Sequence, residues 1–211
     1  MENLDDNVGR VLRRLDDLGL ARDTLVVFFS DNGPNSSRWN GGMKGRKGST
    51  DDGGVRSPLF IRWPGQLPAG RVVTQIAGAI DLLPTLASLA GVERQGDRPL
   101  DGRDLSPLLR GGPASWPERM LWAHWDGRTS VRTSGYRLDH EGRLYDMVAD
   151  PGQARDVAAE QPGVAGRLKE AVAAWRAEMF GEGPVAGVGG GFDAARITAD
   201  VYYLPVEEGC P

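Results

Sequence analysis

One short segment constrains the fold more than any other. It is the apolar run Thr24 to Phe29, which is followed at once by the polar residues Ser30-Asp31-Asn32-Gly33. Continuous apolar runs rich in β-branched and aromatic residues are typical of strands buried on both faces, as in a parallel sheet covered by helices. An amphipathic pattern over residues 3–18, ended by Gly19, predicts a helix just before this strand. A helix, a short turn, a buried strand and a polar loop together predict an α/β fold.

Two further segments extend this α/β region. The apolar run Pro58 to Trp63 predicts a second buried strand. Residues Ile80 to Ala90 predict a short helix, because a proline lies in the first turn and a glycine follows the last residue. Residues 35–57 and 93–118 are polar or rich in Gly and Pro, and they are expected to be loops.

The pattern changes after residue 119. Four short strand candidates separated by turns predict an antiparallel sheet, and they are Met120 to Trp125, Ser130 to Thr133, Tyr136 to Leu138 and Leu144 to Met147. A helical stripe of apolar residues from Val164 to Met179 is placed to cover one face of that sheet. The Gly-rich segment Gly181 to Phe192 carries little helix or strand signal.

Charge and hydropathy exclude several classes of function. The chain has 211 residues, with 25 Lys and Arg against 29 Asp and Glu and a formal net charge of −4. Binding of nucleic acid through bulk positive charge is therefore not expected. The longest apolar run is too short to cross a bilayer. The first residues, Met1 to Asp6, lack the basic and apolar regions of a signal peptide.

Asp31 and Asn32 are the sharpest chemical signal, because ligands of α/β proteins gather where loops leave the carboxyl ends of strands. A carboxylate and an amide carbonyl are hard oxygen donors that suit Ca²⁺ or Mg²⁺. Ca²⁺ takes about six to eight oxygens, so these two residues supply only part of a site. The same Asp-Asn-Gly sequence also favours a simple turn, and the local pattern leaves both interpretations open.

A basic, glycine-punctuated segment, Lys44-Gly45-Arg46-Lys47-Gly48, is the second candidate. Glycine lets the backbone approach a ligand closely, and ammonium or guanidinium groups can hold a phosphate or a sulfate. The spacing is not that of a P-loop, and a solvated basic loop is the alternative. Asp51 and Asp52 follow; paired acids can bind a metal, but adjacent acids in a loop are more often solvated.

The histidines and the cysteine offer no nucleophilic site by themselves. His124 lies between two tryptophans in an apolar strand candidate and is expected to be structural, whereas His140 is expected on the surface at a turn. Neither has a nearby Ser or Cys in a nucleophile context. Cys210 is the single cysteine, which excludes an internal disulfide and a cysteine-cluster zinc site.

Taken in order, the motifs resemble those of the sulfatase family, of the arylsulfatase type. Each motif is modest, but the ordered set spans about residues 3–178 and is specific. The motifs that carry the resemblance are Asn7 to Arg10, Ser30-Asp31-Asn32-Gly33, Asn40 to Gly48, Asp52 to Pro58, Asp81 to Thr85, Asp101 to Leu105, Leu144-Tyr145-Asp146 and Asp150-Pro151-Gly152.

The resemblance implies hydrolysis of sulfate esters in an alkaline-phosphatase-like α/β fold, with Ca²⁺ or sometimes Mg²⁺ as cofactor. In that family a Cys or Ser is converted to formylglycine, whose hydrate attacks sulfur. Asp31 and Asn32 correspond to the metal-binding pair of the Ser-Asp-Asn-Gly motif, and Lys47 corresponds to the lysine that contacts the sulfate. The implied substrate is a sulfate-ester small molecule or a sulfated glycan. Substrate, compartment and oligomeric state are not readable from these residues.

The departures from the family concern the nucleophile. The formylglycine motif, Cys or Ser-x-Pro-x-Arg, and the acids that complete the metal site normally precede Ser-Asp-Asn-Gly, and nothing before Ser30 supplies them here. The segment Ser115 to Arg119 satisfies the motif formally, but it follows the metal pair and is expected not to act as the nucleophile. Cys210 has no Pro-x-Arg after it. In addition, Asp52 stands where Glu is usual, and the shorter acid is expected to weaken the contact that Glu makes.

The chain is therefore expected to be the C-terminal half of a sulfatase, inactive by itself. Residues 1–112 would be the C-terminal part of a mixed or parallel sheet core flanked by helices. Residues 113–180 would be a small antiparallel sheet with a covering helix, and residues 181–211 a Gly-rich tail. The strand at residues 25–29 would then expose apolar faces. Two alternatives stay open: a non-catalytic remnant that binds a partner, and a phosphoester hydrolase of the same superfamily.

Overall fold

The structure is a computed structural model that describes residues 2–93, 96–112 and 115–181. The helices are α1 (Glu2–Asp17), α2 (Asp52–Val55), α3 (Leu82–Ala90), α4 (Ser106–Leu109) and α5 (Pro162–Phe180). The strands are β1 (Val26–Phe29), β2 (Leu59–Arg62), β3 (Leu121–Trp125), β4 (Arg128–Arg132), β5 (Tyr136–Leu138) and β6 (Leu144–Asp146). Single turns of 3₁₀ helix cover Ala21–Asp23, Ser37–Trp39 and Ala79–Asp81.

Strands β1 and β2 pair with each other in the antiparallel direction, from Val26 opposite Arg62 to Phe29 opposite Leu59. The expectation that β1 lies in a parallel sheet is therefore wrong for this pair of strands. The expectation that both faces of β1 are buried is also wrong. The segment between the strands stays at one end of the sheet, so β2 returns beside β1 in the opposite direction. Strand β1 is only half-buried, and Phe29 is 41% exposed. This exposure agrees with the exposed apolar faces expected for residues 25–29.

Helix α1 packs loosely on the two-stranded sheet. None of its residues is buried, although its apolar positions follow the predicted helical spacing. An apolar groove between α1 and the sheet is lined by Val8, Leu12, Phe28, Phe60 and Trp63, among others. The inner face of the sheet instead packs on a buried cluster made by Leu59, Val73, Ala77, Leu105 and Leu108.

The C-terminal sheet is the predicted antiparallel meander, with β3, β4, β5 and β6 paired in chain order. Strand β5 has the predicted bounds, and α5 begins two residues before and ends one residue after the predicted stripe. Helix α5 covers one face of the sheet, where a cluster of Val131, Leu138, Leu144, Val157, Ala165 and Leu168 is buried. The opposite face of β4 and β5 is also buried, because it meets the loop that precedes α2.

Two predicted loops contain short helices. Helix α2 and the Ser37–Trp39 turn lie within residues 35–57, and α4 lies within residues 93–118. The predicted boundaries at residues 112 and 180 stay predictions. The tail prediction and Cys210 fall in residues 182–211, outside the described residues. Within the described part of the chain, no helix combines the length and hydropathy needed to cross a membrane.

Candidate active site

Asp31 and Asn32 lie in the loop that leaves β1. The Asp31 side chain is exposed and Asn32 is half-buried. The loop is folded back by Ser30, whose hydroxyl donates to the carbonyl oxygen of Asn32 at 3.2 Å. Gly33 is buried, and its N–H donates to the carbonyl oxygen of Gly54 at 2.8 Å. A Cβ at residue 33 would lie 2.1 Å from the carbonyl oxygen of Gly53, so this close approach requires glycine.

Lys47 lies in the neighbouring loop, and its side chain is exposed. Its backbone N–H donates to the carbonyl oxygen of Pro34 at 2.9 Å. This contact joins the two loops, and the contact of Gly33 with Gly54 joins the Asp31 loop to α2, which follows the Lys47 loop. The structure therefore brings the predicted metal-binding pair and the predicted sulfate-contacting lysine onto adjoining loops.

Lys44 is not a solvated basic residue but the centre of a partly buried polar cluster. Its Nζ lies 2.8 Å from Asp139 Oδ2, 3.0 Å from Tyr145 Oη and 3.4 Å from Asp51 Oδ1. Burial opposes the charge of Lys44, but the hydrogen bonds to Asp139 and Tyr145 raise its pKa well above the ordinary value. Burial likewise opposes the charge of Asp139, yet the hydrogen bonds from Lys44 and from the Arg143 N–H lower its pKa.

Asp52 is fully buried and forms an ion pair with Arg137, with 2.6 Å between Oδ1 and Nη2. The Arg137 guanidinium also donates to the carbonyl oxygen of Thr50 and to Ser130 Oγ. Asp51 is buried as well. Both interpretations of the adjacent acids, metal ligands or solvated loop residues, are therefore wrong for Asp52, because the C-terminal sheet supplies its partner. Asp52, which stands where Glu is usual, makes its side-chain contact with Arg137.

Gln153 completes this cluster from the turn after β6. Its Oε1 accepts the backbone N–H of Asp52 at 2.9 Å, and its Nε2 donates to Asp51 Oδ1 at 3.3 Å. The residue is buried and has a φ of 57°, a left-handed conformation that is unfavourable for a residue with a Cβ. The preceding residue is Gly152, whose carbonyl oxygen accepts a hydrogen bond from the backbone N–H of Lys44 at 3.1 Å.

Sequence reasoning did not identify Arg137, Asp139 or Gln153. One signal for Arg137 was present: strand alternation places Leu138 toward α5 and Arg137 on the opposite face. An arginine on a strand that is covered on both faces needs a buried acid as its partner. Which acid it meets depends on a contact between two distant parts of the chain.

Among the remaining sequence candidates, His124 and Arg119 make contacts within the fold. His140 is exposed, as predicted, and the imidazole of His124 is half-buried against Trp175 and Phe180. The pKa of His124 is lowered by burial and by the nearby charge of Arg176. In the segment that imitates a formylglycine motif, the buried Arg119 guanidinium donates to Asp81 Oδ2 at 2.8 Å.

The donor set around Asp31 fits part of a Ca²⁺ or Mg²⁺ site. The carboxylate and the amide oxygen are hard donors, and the loop has no bulky residue at position 33. Over residues 2–93, 96–112 and 115–181, however, no group of three or more His, Cys, Asp or Glu side chains is arranged to hold a metal ion. The described residues thus offer two ligands of the larger set that Ca²⁺ requires.

The chain is similar to known sulfatases in sequence and in structure. The sequence profile of the family described as Sulfatase matches residues 1–92, and that described as N-sulphoglucosamine sulphohydrolase, C-terminal, matches residues 47–178. Over 121 residues, 53% of this chain and 19% of the relative, it is 51% identical to the steryl-sulfatase of Mus musculus. Over 162 residues, 70% of this chain and 31% of the relative, it is 41% identical to the arylsulfatase A of Homo sapiens.

A solved structure extends the likeness to the fold. The structure of BT4656 in complex with its substrate, D-glucosamine-2-N,6-O-disulfate, covers 82% of this chain with a TM-score of 0.59 and 25% identity, and the match spans 38% of BT4656. The chain therefore spans well under half the length of these relatives. The α/β fold class predicted from the sequence is confirmed by this likeness. The chain belongs to the sulfatase family.

Proposed function

We propose that this chain contributes to the hydrolysis of sulfate esters, with Asp31 and Asn32 as metal ligands and Lys47 as a contact of the sulfate group. The observation that supports the proposal most is the junction of the two loops. The N–H of Lys47 bonds to Pro34, and the N–H of Gly33 bonds to Gly54, so the three residues lie on adjoining backbone segments. The family membership supplies the reaction class.

Each side chain has a chemically distinct task in this proposal. Asp31 and Asn32 present hard oxygen donors that fit Ca²⁺ or Mg²⁺. A bound divalent cation would act as a Lewis acid on the sulfate oxygens. Lys47 would pair its ammonium group with the charge on the sulfate oxygens as the S–O bond breaks, which is electrostatic stabilisation of the transition state. Its exposed side chain is available for such a contact.

We further propose that the nucleophile, a formylglycine, and the remaining metal ligands come from polypeptide other than these 211 residues. No Cys or Ser-x-Pro-x-Arg motif precedes Ser30, and the matched relatives are several times longer than the matched region. Sequencing the DNA upstream of the Met1 codon tests this directly. A Cys or Ser-x-Pro-x-Arg motif and an Asp pair in frame are the expected result, and their absence would contradict this part of the proposal.

For the substrate, we propose a sulfated sugar or an aryl sulfate. The first class is supported by the disulfated glucosamine that BT4656 is bound to as its substrate, and the second by the similarity to arylsulfatase A. Hydrolysis assays on 4-nitrophenyl sulfate, on 4-nitrophenyl phosphate and on D-glucosamine 6-sulfate, with the product of the upstream-extended gene, separate these classes. Faster turnover of the phosphate ester would favour the phosphoester alternative.

Binding can be tested on the chain itself. Because the described residues offer only two of the ligands, we expect weak binding: Ca²⁺ at high concentration should shift the amide signals of Asp31, Asn32 and Gly33 in an ¹⁵N-labelled sample. Sodium sulfate is expected to shift the signal of Lys47. The variant Asp31→Ala should lose the Ca²⁺ response, and Lys47→Met should lose the sulfate response.

Two exposed residues provide matched controls. Asp126 has an exposed carboxylate on the β3–β4 turn, and Lys169 has an exposed ammonium group on α5. The variants Asp126→Ala and Lys169→Met should leave both responses unchanged. Equal losses in the control and test variants would mean that the ions bind nonspecifically and would contradict the assignment of these residues.

A further inference from the structure

We propose that Gln153 and Arg137 are positioning residues for Lys47. They hold Asp51 and Asp52 on the C-terminal sheet, and this fixes the loop that presents Lys47 to the Asp31–Asn32 turn. The importance of this role for activity rests on the proposed function of Lys47. The mechanical coupling itself is a property of the chain and can be measured without substrate.

The C-terminal sheet contacts the Lys47 loop on both sides of Lys47. Before it, Lys44 donates its backbone N–H to Gly152 and places its ammonium group 2.8 Å from Asp139 Oδ2. After it, Ser130 Oγ donates to the carbonyl oxygen of Thr50 at 2.6 Å. Lys47 is thus the exposed middle of a segment whose two ends are anchored.

The Asp52–Arg137 ion pair is the most deeply buried of these anchors. Its side chains are 1% and 0% exposed. An ion pair removed from water in this way adds little net stability, because desolvation of both charges opposes their attraction. The ion pair instead fixes the position of the chain, because one guanidinium binds both the Asp52 carboxylate and the Thr50 carbonyl oxygen.

The backbone of Gln153 argues for the same role. The left-handed region is unfavourable for a non-glycine residue, which adopts it only where surrounding contacts require it. The contacts here are those of its side chain with the Asp52 N–H and with Asp51 Oδ1. Glycine would satisfy the backbone at this position but would lose both contacts.

At residue 153 the backbone conformation favours glycine, whereas the side-chain contacts require glutamine, and this opposition provides the test. The variant Gln153→Gly relieves the left-handed backbone and removes the two side-chain contacts. The N–H of Gly33 bonds to Gly54 in α2 and the N–H of Lys47 bonds to Pro34. We expect hydrogen exchange of these two amides to accelerate about tenfold, the effect of losing about one hydrogen bond. The amides of Val131 and Val157, in the C-terminal sheet and its adjoining turn, should exchange at the rate of the unaltered chain.

A second, paired variant covers the case in which Gln153→Gly perturbs the turn. The double variant Asp52→Leu with Arg137→Met removes both charges of the ion pair together, so neither residue leaves its partner buried and unpaired. Acceleration at Gly33 and Lys47 with unchanged Val131 and Val157 should recur. The variant His140→Gln, at an exposed position, should change none of these rates.

Two results would overturn the inference. Unchanged exchange at Gly33 and Lys47 in both variants would show that the sheet does not position the loop. Equal acceleration at all four reporter amides would show a purely structural role. Either result leaves the Ca²⁺ and sulfate titrations to decide the proposed function separately, because the exchange measurement uses no ligand.

Discussion

Lys44 Nζ and Asp139 Oδ2 lie 2.8 Å apart, although the two residues are separated by 95 positions in the sequence. Lys44 belongs to the loop that carries Lys47, and Asp139 directly follows β5 of the C-terminal sheet. The pair therefore links the candidate active site to the small sheet through one polar contact. Because the Asp139 side chain is fully buried, loss of its partner would leave an uncompensated charge.

The variant Lys44→Met should destabilise the chain measurably. We expect a loss of about 2 kcal/mol, less than the roughly 3–5 kcal/mol seen when a fully buried pair is broken, since hydration of the Lys44 side chain compensates in part. Urea denaturation followed by tryptophan fluorescence measures the free energy of unfolding. The exposed control Lys169→Met should change it by less than about 0.5 kcal/mol. A Lys44→Met variant as stable as the control would contradict the importance of the pair.

The fold follows from sequence patterns to the extent that these patterns are local. Strand β5 and helix α5 are predicted nearly to the residue, because alternation and the helical stripe reflect which side chains face the local cluster around Leu168. The direction of β2 relative to β1 is not determined by the local sequence of either strand. It depends on how residues 30–58 fold, and their glycine-rich pattern specifies no period.

The candidate site divides in the same way. The roles of Asp31, Asn32 and Lys47 are predictions from motifs that resemble those of the sulfatase family, and the local pattern alone left a turn and a solvated loop open. Arg137 and Gln153 could not be assigned, because their contacts with Asp52 bring together distant segments. The burial of Asp52 was equally invisible, since an acid beside another acid usually indicates a solvated loop. Only tertiary packing reveals the arginine that makes burial possible.

Acidification should remove the contribution of the Lys44–Asp139 pair. The pKa of Asp139 is lowered from its ordinary value of 3.8, so the stabilisation is fully present above that value. It is lost as the pH falls through the lower pKa of the folded state. Denaturation of the unaltered chain and of Lys44→Met between about pH 7 and about pH 2 should show a stability difference that shrinks at the acid end. A difference independent of pH would argue against an ionic contact.

His124 should give a second pH dependence, at milder acidity. Its Nδ1 lies 2.7 Å from Thr129 Oγ1, which in turn accepts a hydrogen bond from Arg176. Burial and the charge of Arg176 lower the pKa of His124 below 6.5. The folded state therefore favours the neutral imidazole, and stability should fall as the pH drops from about 7 to about 5.

Replacement of each histidine separates this effect from other titrations. The variant His124→Gln should lose part of the stability change between about pH 7 and about pH 5, while His140→Gln, at an exposed turn, should retain all of it. Urea midpoints at the two pH values provide the measurement. If both variants keep the same pH dependence as the unaltered chain, His124 is not its source.

The buried pair of Asp81 and Arg119 predicts how the apparent Ser-x-Pro-x-Arg motif will behave. Asp81 accepts the backbone N–H groups of Gly78 and Arg103 as well as the guanidinium of Arg119, whereas Ser115 is exposed. The variant Arg119→Met leaves a buried carboxylate without its cation, and a loss of about 3–5 kcal/mol is expected.

The serine of this segment should be dispensable. The variant Ser115→Ala should keep the free energy of unfolding within about 0.5 kcal/mol of the unaltered chain, because an exposed hydroxyl on a loop makes no buried contact. Peptide mass spectrometry should find an unmodified Ser115 in chain that is expressed beside the formylglycine-generating machinery. Conversion of Ser115 to formylglycine would contradict this interpretation of the segment, whereas an Arg119→Met variant of unaltered stability would contradict only the importance of the Asp81–Arg119 pair. The expected result assigns Arg119 to the interior, where it joins the segment before β3 to the start of α3.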